Sequence, residues 1–178
     1  MESLGCLAEF VLGGKQVSEL ITDVEQVTPE WLTRVLQEKD YLGRGKVTAV
    51  RKKSRSTIIS NIHHLELEYS AESPNSAPTR LFLKITKPDF DPEISSRIGK
   101  RESDFYNVIA VSTTGVPLIS CYDAVYSPET GKSPILLADL SETHFQTNWP
   151  LPPTKMHCEE VMHSLAKFQN AQTGQVWS

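Results

Sequence analysis

Apolar residues recur at helical spacing in three segments of the chain, and each segment predicts a helix with one face turned toward a core. The first segment starts at Thr28-Pro29-Glu30, where a hydroxyl cap, a proline and an acid favour a helix start. The third starts after Thr154, another hydroxyl cap. The three stripes are Trp31, Leu32, Val35 and Leu36; Ile98, Glu102, Phe105, Tyr106 and Ile109; and Cys158, Val161, Met162, Leu165 and Phe168.

Between these helices the apolar pattern changes to a period of two, which is typical of strands. Alternation from Lys46 to Tyr69 predicts a hairpin, with the hydroxyl-rich stretch Ser54 to Asn61 as its long tip. A short strand is predicted over Arg80 to Ile85. Two more, around Leu118 to Tyr126 and Pro134 to Leu140, are expected to pair antiparallel. The order of elements predicts an α+β fold, an antiparallel sheet with helices packed against it.

Composition narrows the class of protein. The 178 residues include 18 Lys and Arg against 22 Asp and Glu, a net charge of −4, so no nucleic-acid partner is expected. The three cysteines are far apart and odd in number, which points neither to a disulfide framework nor to a zinc site. No apolar run reaches the ~18 residues that a membrane helix needs. We therefore expect a soluble, cytoplasmic protein without a membrane partner.

One cation stands out, because Lys84 interrupts the apolar run Leu81 to Ile85. Strand alternation places Lys84 and Phe82 together on one face. A lone ammonium there costs several kcal/mol unless it is paired, and Glu102 lies on the inward face of the second helix. At about 4 Å such a pair gains about 4 kcal/mol if the effective dielectric is near 20. Spacing alone leaves open the alternative that Lys84 reaches water from an edge strand and that Glu102 is solvated.

Other clusters of reactive side chains favour structural roles. Glu160 and His163 have the spacing of half a carboxylate di-metal site, but a solvated helix face explains them better. His63 and His64 are adjacent on a strand and therefore point to opposite faces. Cys158 lies in an apolar stripe, where a buried, inert thiol is expected. No metal site is predicted in this chain.

Four segments of the chain carry a resemblance to a known family: PTRLFLKI, KRESDFYNVIA, VPLISCYDAVYSPETGKSPILLADLSETHF and EEVMHSLAKFQNAQ. Together they resemble the aminoglycoside phosphotransferase and ecdysteroid kinase-like family, which has a protein-kinase-like fold. They follow the family's order with compatible gaps, from about Thr28 to the end of the chain. The resemblance implies an N-terminal extension over 1–27, a kinase-like N-lobe over 28–137, and the hinge and first helix of an incomplete C-lobe over 138–178.

The resemblance also implies a site for ATP. Lys84 corresponds to the lysine that contacts the phosphates, and Glu102 to the helix glutamate that orients it. In the hinge, the Ala138 carbonyl and the Leu140 amide would meet the adenine edge, and Phe82 would roof the adenine pocket. The implied nucleotide-binding residues are Ser60, Phe82, Lys84, Glu102, Ala138, Asp139 and Leu140.

The loop that would cover the phosphates, Ser54 to Asn61, contains no glycine, whereas protein kinases use a glycine-rich loop there. Its amides and the Ser60 hydroxyl can still donate to phosphate oxygens, and Arg55 or Lys53 could add charge. A solvated basic hairpin tip is the competing interpretation of the same residues.

The family's catalytic loop does not occur in the sequence. Phosphoryl transfer relies on a His-Gly-Asp loop, an Asn five residues after that Asp, and a later Asp that holds Mg²⁺. The last aspartate of this chain is Asp139. We therefore expect no catalytic residue and no metal ligand in this chain, the Mg²⁺ ligands in a missing C-lobe, and no kinase activity from the chain alone.

The predicted function is the nucleotide-binding N-terminal part of a small-molecule kinase, which transfers the ATP γ-phosphoryl group to a substrate hydroxyl. Because the chain is catalytically incomplete, its status as an enzyme stays open. The alternative is a truncated or degenerate relative that acts as a non-catalytic nucleotide-binding or protein-interaction module and self-associates through the last helix. An unrelated α+β domain without a nucleotide site is the third interpretation.

Overall fold

The computed structural model describes residues 20–87, 89–144 and 152–176. Residues 1–19, most of the predicted N-terminal extension, lie outside this part of the chain. Within the described ranges the elements are, in chain order, a 3-10 turn (Val24–Gln26), α1 (Pro29–Glu38), β1 (Val47–Ser56), β2 (Ser60–Tyr69), β3 (Arg80–Thr86), α2 (Pro92–Asp104), a π-helical segment (Phe105–Ala110), β4 (Cys121–Ala124), β5 (Ile135–Ala138) and α3 (Lys155–Val176).

The five strands pair into one antiparallel sheet in the order β1-β2-β3-β5-β4, which places β3 in the middle. Along β3, Leu81, Leu83 and Ile85 are buried, whereas the residues between them are only partly buried. The sheet therefore has two different faces. The predicted α+β class, with helices packed against an antiparallel sheet, is confirmed.

The face that carries Leu81 and Leu83 forms the main core together with α1. Thr28 caps α1 as expected, since its Oγ1 accepts a hydrogen bond of 3.2 Å from the Trp31 amide. Full burial of each large aliphatic side chain stabilises the fold by about 1.5–3 kcal/mol. The core consists of Ile21, Val27, Trp31, Leu32, Val35, Leu36, Leu42, Val47, Leu65, Leu67, Ala77, Leu81, Leu83, Ile85, Tyr122 and Leu136.

The second helix is buried on a different side from the one predicted. Its buried residues are Ser95, Gly99 and Ser103, and a Cβ on Gly99 would lie 2.1 Å from Ser133 Oγ in the loop before β5. Ile98, expected to face the core, is 38% exposed. Small residues set the buried side of α2, since Ser95, Gly99 and Ser103 recur every four positions and allow the helix to approach the loop before β5 closely. From Phe105 onward the π-helical segment, with more residues per turn, no longer follows the spacing of the predicted stripe.

The tip of the first hairpin is short, so the predicted long tip is wrong. Strands β1 and β2 run to Ser56 and from Ser60, leaving three residues between them. Hydroxyl groups of the stretch bond across the ladder instead of loosening it, since Ser54 Oγ lies 2.7 Å from His63 Nδ1 and Ser56 Oγ donates to Asn61 Oδ1 at 3.0 Å. At the tip, the Ile58 side chain is 86% exposed.

The last helix, α3, touches the rest of the described chain through Phe168, whose ring lies 6.1 Å from that of Phe105. Most of its predicted stripe is exposed, including Val161, Met162 and Leu165. The expectation of a buried Cys158 is wrong, because the helix turns this residue to solvent. No helix among the described residues is both long and apolar enough to cross a bilayer.

Candidate functional site

The ion pair predicted from the sequence joins β3 to α2. Lys84 Nζ lies 2.5 Å from Glu102 Oε2, and the two side chains are 26% and 28% exposed. Lys84 extends from a strand with neighbours on both sides, so the edge-strand alternative is wrong. Glu102 projects from the last turns of α2, just before the π-helical segment. The predicted pairing of these two residues is confirmed.

The Lys84–Glu102 pair is worth a modest amount of stability. Exposed pairs contribute about 0–1 kcal/mol, and hydrogen bonds to charged groups about 1.5–3 kcal/mol. Because both side chains retain about a quarter of their exposure, we place this pair at about 1–2 kcal/mol. Its main effect is positional, since the carboxylate holds the ammonium at one point above the sheet.

The register of the sheet arranges the residues of this face in rows that run across the strands. Residues that are directly opposed in neighbouring strands point to the same side. The Lys84 row consists of Arg55, Ile62, Lys84 and Ile135; the Phe82 row consists of Lys53, His64, Phe82 and Leu137; and Arg51, Glu66 and Arg80 form the next row. Phe82 therefore shares a face with Lys84, as predicted.

Phe82 belongs to an apolar cluster on this face. It packs against a buried group formed by Ala124, Ile135 and Leu137, and its ring meets the His64 ring edge-on at 5.6 Å. The Tyr106 side chain of the π-helical segment closes the cluster on the side of α2. Lys84 thus stands beside an aromatic and aliphatic surface.

Two neutral groups lie close to Glu102. Burial raises the pKa of Tyr106 to about 12, and the nearby Glu102 carboxylate acts in the same direction. Burial also raises the pKa of the Cys121 thiol to about 12, with the Asp123 carboxylate adding to the effect. Both groups keep their protons at neutral pH. Neither supplies an anion that would compete with Glu102 for Lys84.

The predicted hinge overlaps the end of β5, since Ala138 is the last residue of that strand. The Ala138 amide donates to the Ser120 carbonyl at 2.9 Å, and the Asp139 amide to the Arg80 carbonyl at 3.3 Å. Within the described ranges, no group accepts a hydrogen bond from the Leu140 amide. Its carbonyl accepts from the amides of Thr143 and His144, so the chain turns immediately after Leu140.

The Asp139 carboxylate anchors this segment to the sheet. Its side chain is only 2% exposed and accepts hydrogen bonds from His64 Nδ1 at 2.7 Å and from the Ser141 amide at 2.9 Å. Arg80 Nη2 lies 3.6 Å away. Burial alone would raise the pKa of Asp139, but the bonds from His64 and Ser141 outweigh it and lower the pKa to about 2. Asp139 is an anion in a fixed network.

The partners of Asp139 were not predicted from the sequence. The prediction that His63 and His64 point to opposite faces is confirmed, because their opposed residues on β3 are Leu83 and Phe82. Burial lowers the pKa of His63 on the α1 side. The spacing did not reveal that the side chains of His64 and Arg80, from neighbouring rows, both face the Asp139 carboxylate, which lies 75 residues after His64 in the sequence.

Ser60 lies on the Lys84 face, opposite Thr86, but it is deeply buried. The residue is 2% exposed, and no group in the described part of the chain bonds to its hydroxyl. Its amide donates to Thr57 Oγ1 at 3.1 Å, and that hydroxyl donates to the Ser60 carbonyl at 2.7 Å. The hydroxyl groups of Ser54, Ser56 and Thr57 therefore all have partners within the hairpin, whereas that of Ser60 has none among the described residues.

Two surface depressions lie apart from Lys84. One of about 290 Å³ is at the Arg80 end of the face and is lined by charged residues that include Arg51, Glu66, Arg80 and Glu142. The other, of about 520 Å³, lies between α1 and the start of β1. Ligand pockets are mostly apolar, so the charged lining of both disfavours an adenine ring.

The described residues bring no three His, Cys, Asp or Glu side chains together in a metal-binding arrangement. Comparison with known proteins adds no family assignment. No family model matches the chain, and no significant match is found among curated proteins or solved structures.

Proposed function

We propose that the chain binds ATP on the Lys84 face of the sheet, as the N-terminal part of a small-molecule kinase. The observation that carries this proposal is the 2.5 Å pair between Lys84 on the third strand and Glu102 on the helix that follows. Protein kinases need a lysine of the third strand and a helix glutamate in this relation to hold the nucleotide phosphates.

The surroundings of Lys84 support the same proposal. Phe82 and Leu137 offer an apolar surface one row from the ammonium, suitable for a purine ring. Beyond that row, the Leu140 amide has no acceptor among the described residues, and a hydrogen bond to the adenine edge would satisfy it. Asp139 fixes this backbone through its side chain and is not itself a contact to adenine.

The proposed activity of the whole enzyme is transfer of the γ-phosphoryl group to a hydroxyl of a small molecule. This chain would bind and orient the nucleotide. The catalytic base and the Mg²⁺ ligands would come from a C-lobe, because the sequence holds no His-Gly-Asp loop and no aspartate after Asp139. The substrate would be bound by that lobe as well.

Calorimetric titration of the chain with MgATP tests the proposal. We expect saturable binding that weakens at least tenfold in Lys84→Gln, because the charge-assisted contact to the phosphates is lost. Lys100→Gln is the matched control, since Lys100 pairs with Asp104 on the exposed side of the same helix region. Equal ATP affinity for Lys84→Gln and the wild-type chain would exclude the assigned role of Lys84.

A non-catalytic interaction module is the second candidate. The observation in its favour is the exposed apolar strip of α3, formed by Val161, Met162 and Leu165. A strip of this kind favours self-association. Sedimentation of the chain over a range of concentrations distinguishes this candidate, which requires a mass that rises with concentration.

A further inference from the structure

Positive charge is concentrated in the tip half of the β1–β2 hairpin and just before β1, whereas the two glutamates of the hairpin, Glu66 and Glu68, lie toward its open end. From Tyr41 to Leu65 the sequence contains six cations and no Asp or Glu, although the chain as a whole carries a net charge of −4. Like charges crowded on one hairpin repel one another and favour an anionic ligand. The six residues are Arg44, Lys46, Arg51, Lys52, Lys53 and Arg55.

Of the other three cations of strand β1, Arg51 and Lys52 have partners, and Lys53 lies in the Phe82 row, one row farther from the tip than Arg55. Arg51 Nη2 lies 2.6 Å from Glu68 Oε1. Lys52 Nζ donates to the Val24 carbonyl at 2.7 Å on the α1 side. Arg55 is exposed, and no carboxylate of the described residues pairs with it.

The strand register places the Arg55 side chain on the same face of the sheet as Lys84. Arg55 opposes Ile62, and Ile62 opposes Lys84, so the three side chains point to one face. Two strand spacings separate Arg55 from Lys84, about 9.5 Å. Both long side chains can bend toward the space above Ile62, so a single polyphosphate can contact both cations.

The rows on the Lys84 face follow one another from the end of the predicted hinge to the hairpin tip. The hinge lies at the Arg80 end, Phe82 comes next, then Lys84, and Ser60 with Thr86 lies closest to the hairpin tip. An adenine ring over the Phe82 row, next to the Leu140 amide, would therefore direct its phosphates toward Arg55 and the tip. There the buried Ser60 hydroxyl lacks a partner among the described residues, an independent sign that a polar group completes this end.

We propose that Arg55 is a phosphate-binding residue that takes the place of a glycine-rich loop, holding the phosphates farthest from the adenine. The proposal rests on the proposed ATP site and deepens it. It assigns the ligand class, since affinity must rise with the number of phosphates from adenosine to ADP to ATP. A backbone loop gives such selectivity through amides, whereas Arg55 gives it through charge.

The test compares Arg55→Gln, Arg55→Lys and the wild-type chain in titrations with adenosine, MgADP and MgATP. We expect Arg55→Gln to weaken ATP binding about tenfold and to leave adenosine binding unchanged. Arg55→Lys should recover part of the affinity because it keeps the charge. The control is Arg51→Gln, on the same strand and face but two rows toward the hinge, which should change ATP affinity less than about twofold.

Each other outcome overturns a specific statement. If Lys84→Gln weakens ATP binding while Arg55→Gln binds ATP like the wild type, the role of Arg55 is wrong and the proposed ATP site is retained. If Arg55→Gln lowers the affinities for adenosine and for ATP by the same factor, Arg55 does not recognise phosphate. If the wild-type chain binds no adenine nucleotide, the proposed function and the role of Arg55 both fail. Equal thermal midpoints for the variants confirm that all of them are folded.

Discussion

Replacing Asp139 with asparagine should destabilise the fold measurably. The pKa of about 2, against an ordinary 3.8, corresponds to roughly 2 kcal/mol of stabilisation at neutral pH for this nearly inaccessible carboxylate. Asparagine keeps the shape but loses the charge that His64 and Arg80 face. We therefore expect Asp139→Asn to lower the free energy of unfolding by about 1–2 kcal/mol at pH 7.

The pH dependence gives this prediction its sign. Because the folded pKa of Asp139 is depressed, its stabilisation is fully present well above pH 3.8 and is lost as the pH falls through about 2. At pH 3 roughly half should remain. The gap between the wild type and Asp139→Asn should therefore narrow from pH 7 to pH 3.

Urea denaturation followed by tryptophan fluorescence measures this gap, since Trp31 is buried in the main core and reports on its disruption. Asp104→Asn is the control, because its carboxylate pairs with Lys100 on the surface and should contribute less than about 1 kcal/mol. A gap that stays constant between pH 7 and pH 3 would refute the assignment of the stabilisation to the Asp139 charge.

Two further predictions concern packing and thiol chemistry. Gly99→Ala should destabilise the fold by about 1–3 kcal/mol in thermal unfolding, because the new methyl group would overlap Ser133 Oγ. Adding Ser133→Gly should restore most of the lost stability. If the double variant is no more stable than Gly99→Ala, the overlap with Ser133 is not the cause of the loss. In a thiol-labelling time course read by mass spectrometry, the exposed Cys158 should react much faster than Cys121. The pKa of Cys121 is raised to about 12, so almost none of this residue is thiolate at pH 8. Equal labelling rates would contradict the burial of Cys121.

The Lys84–Glu102 pair could be predicted because each partner is a charged residue at a position where the local pattern expects an apolar one. A cation in an apolar strand and a carboxylate on an inward helix face both need compensation, and alternation fixes the side to which each points. The α1 stripe was predictable for the same reason, since its cap and period agree. Local periodicity was sufficient for Lys84 and for α1, whereas the stripe that placed Glu102 inward was wrong for Ile98.

Local periodicity failed where tertiary contacts set the geometry. The hydroxyl groups around Ser54 suggest a loop, but they bond across the strands to His63 and Asn61. The close approach of Gly99 to Ser133 decides which side of α2 is buried, and their separation in sequence hides it. The Asp139 network joins β2, β3 and the segment after β5, and no short pattern encodes such a junction.

The π-helical segment, which begins three residues after Glu102, has a consequence for changes in chain length. Each turn of a π-helix carries about one residue more than an α-helical turn. The six residues Phe105–Ala110 therefore give about the same rotation as five α-helical residues, so deleting one of them would restore regular winding with little rotation of the downstream residues relative to the Glu102 carboxylate. Loss of one residue from this segment should therefore be tolerated better than loss of one residue from α2, which would rotate the rest of the helix by about 100°.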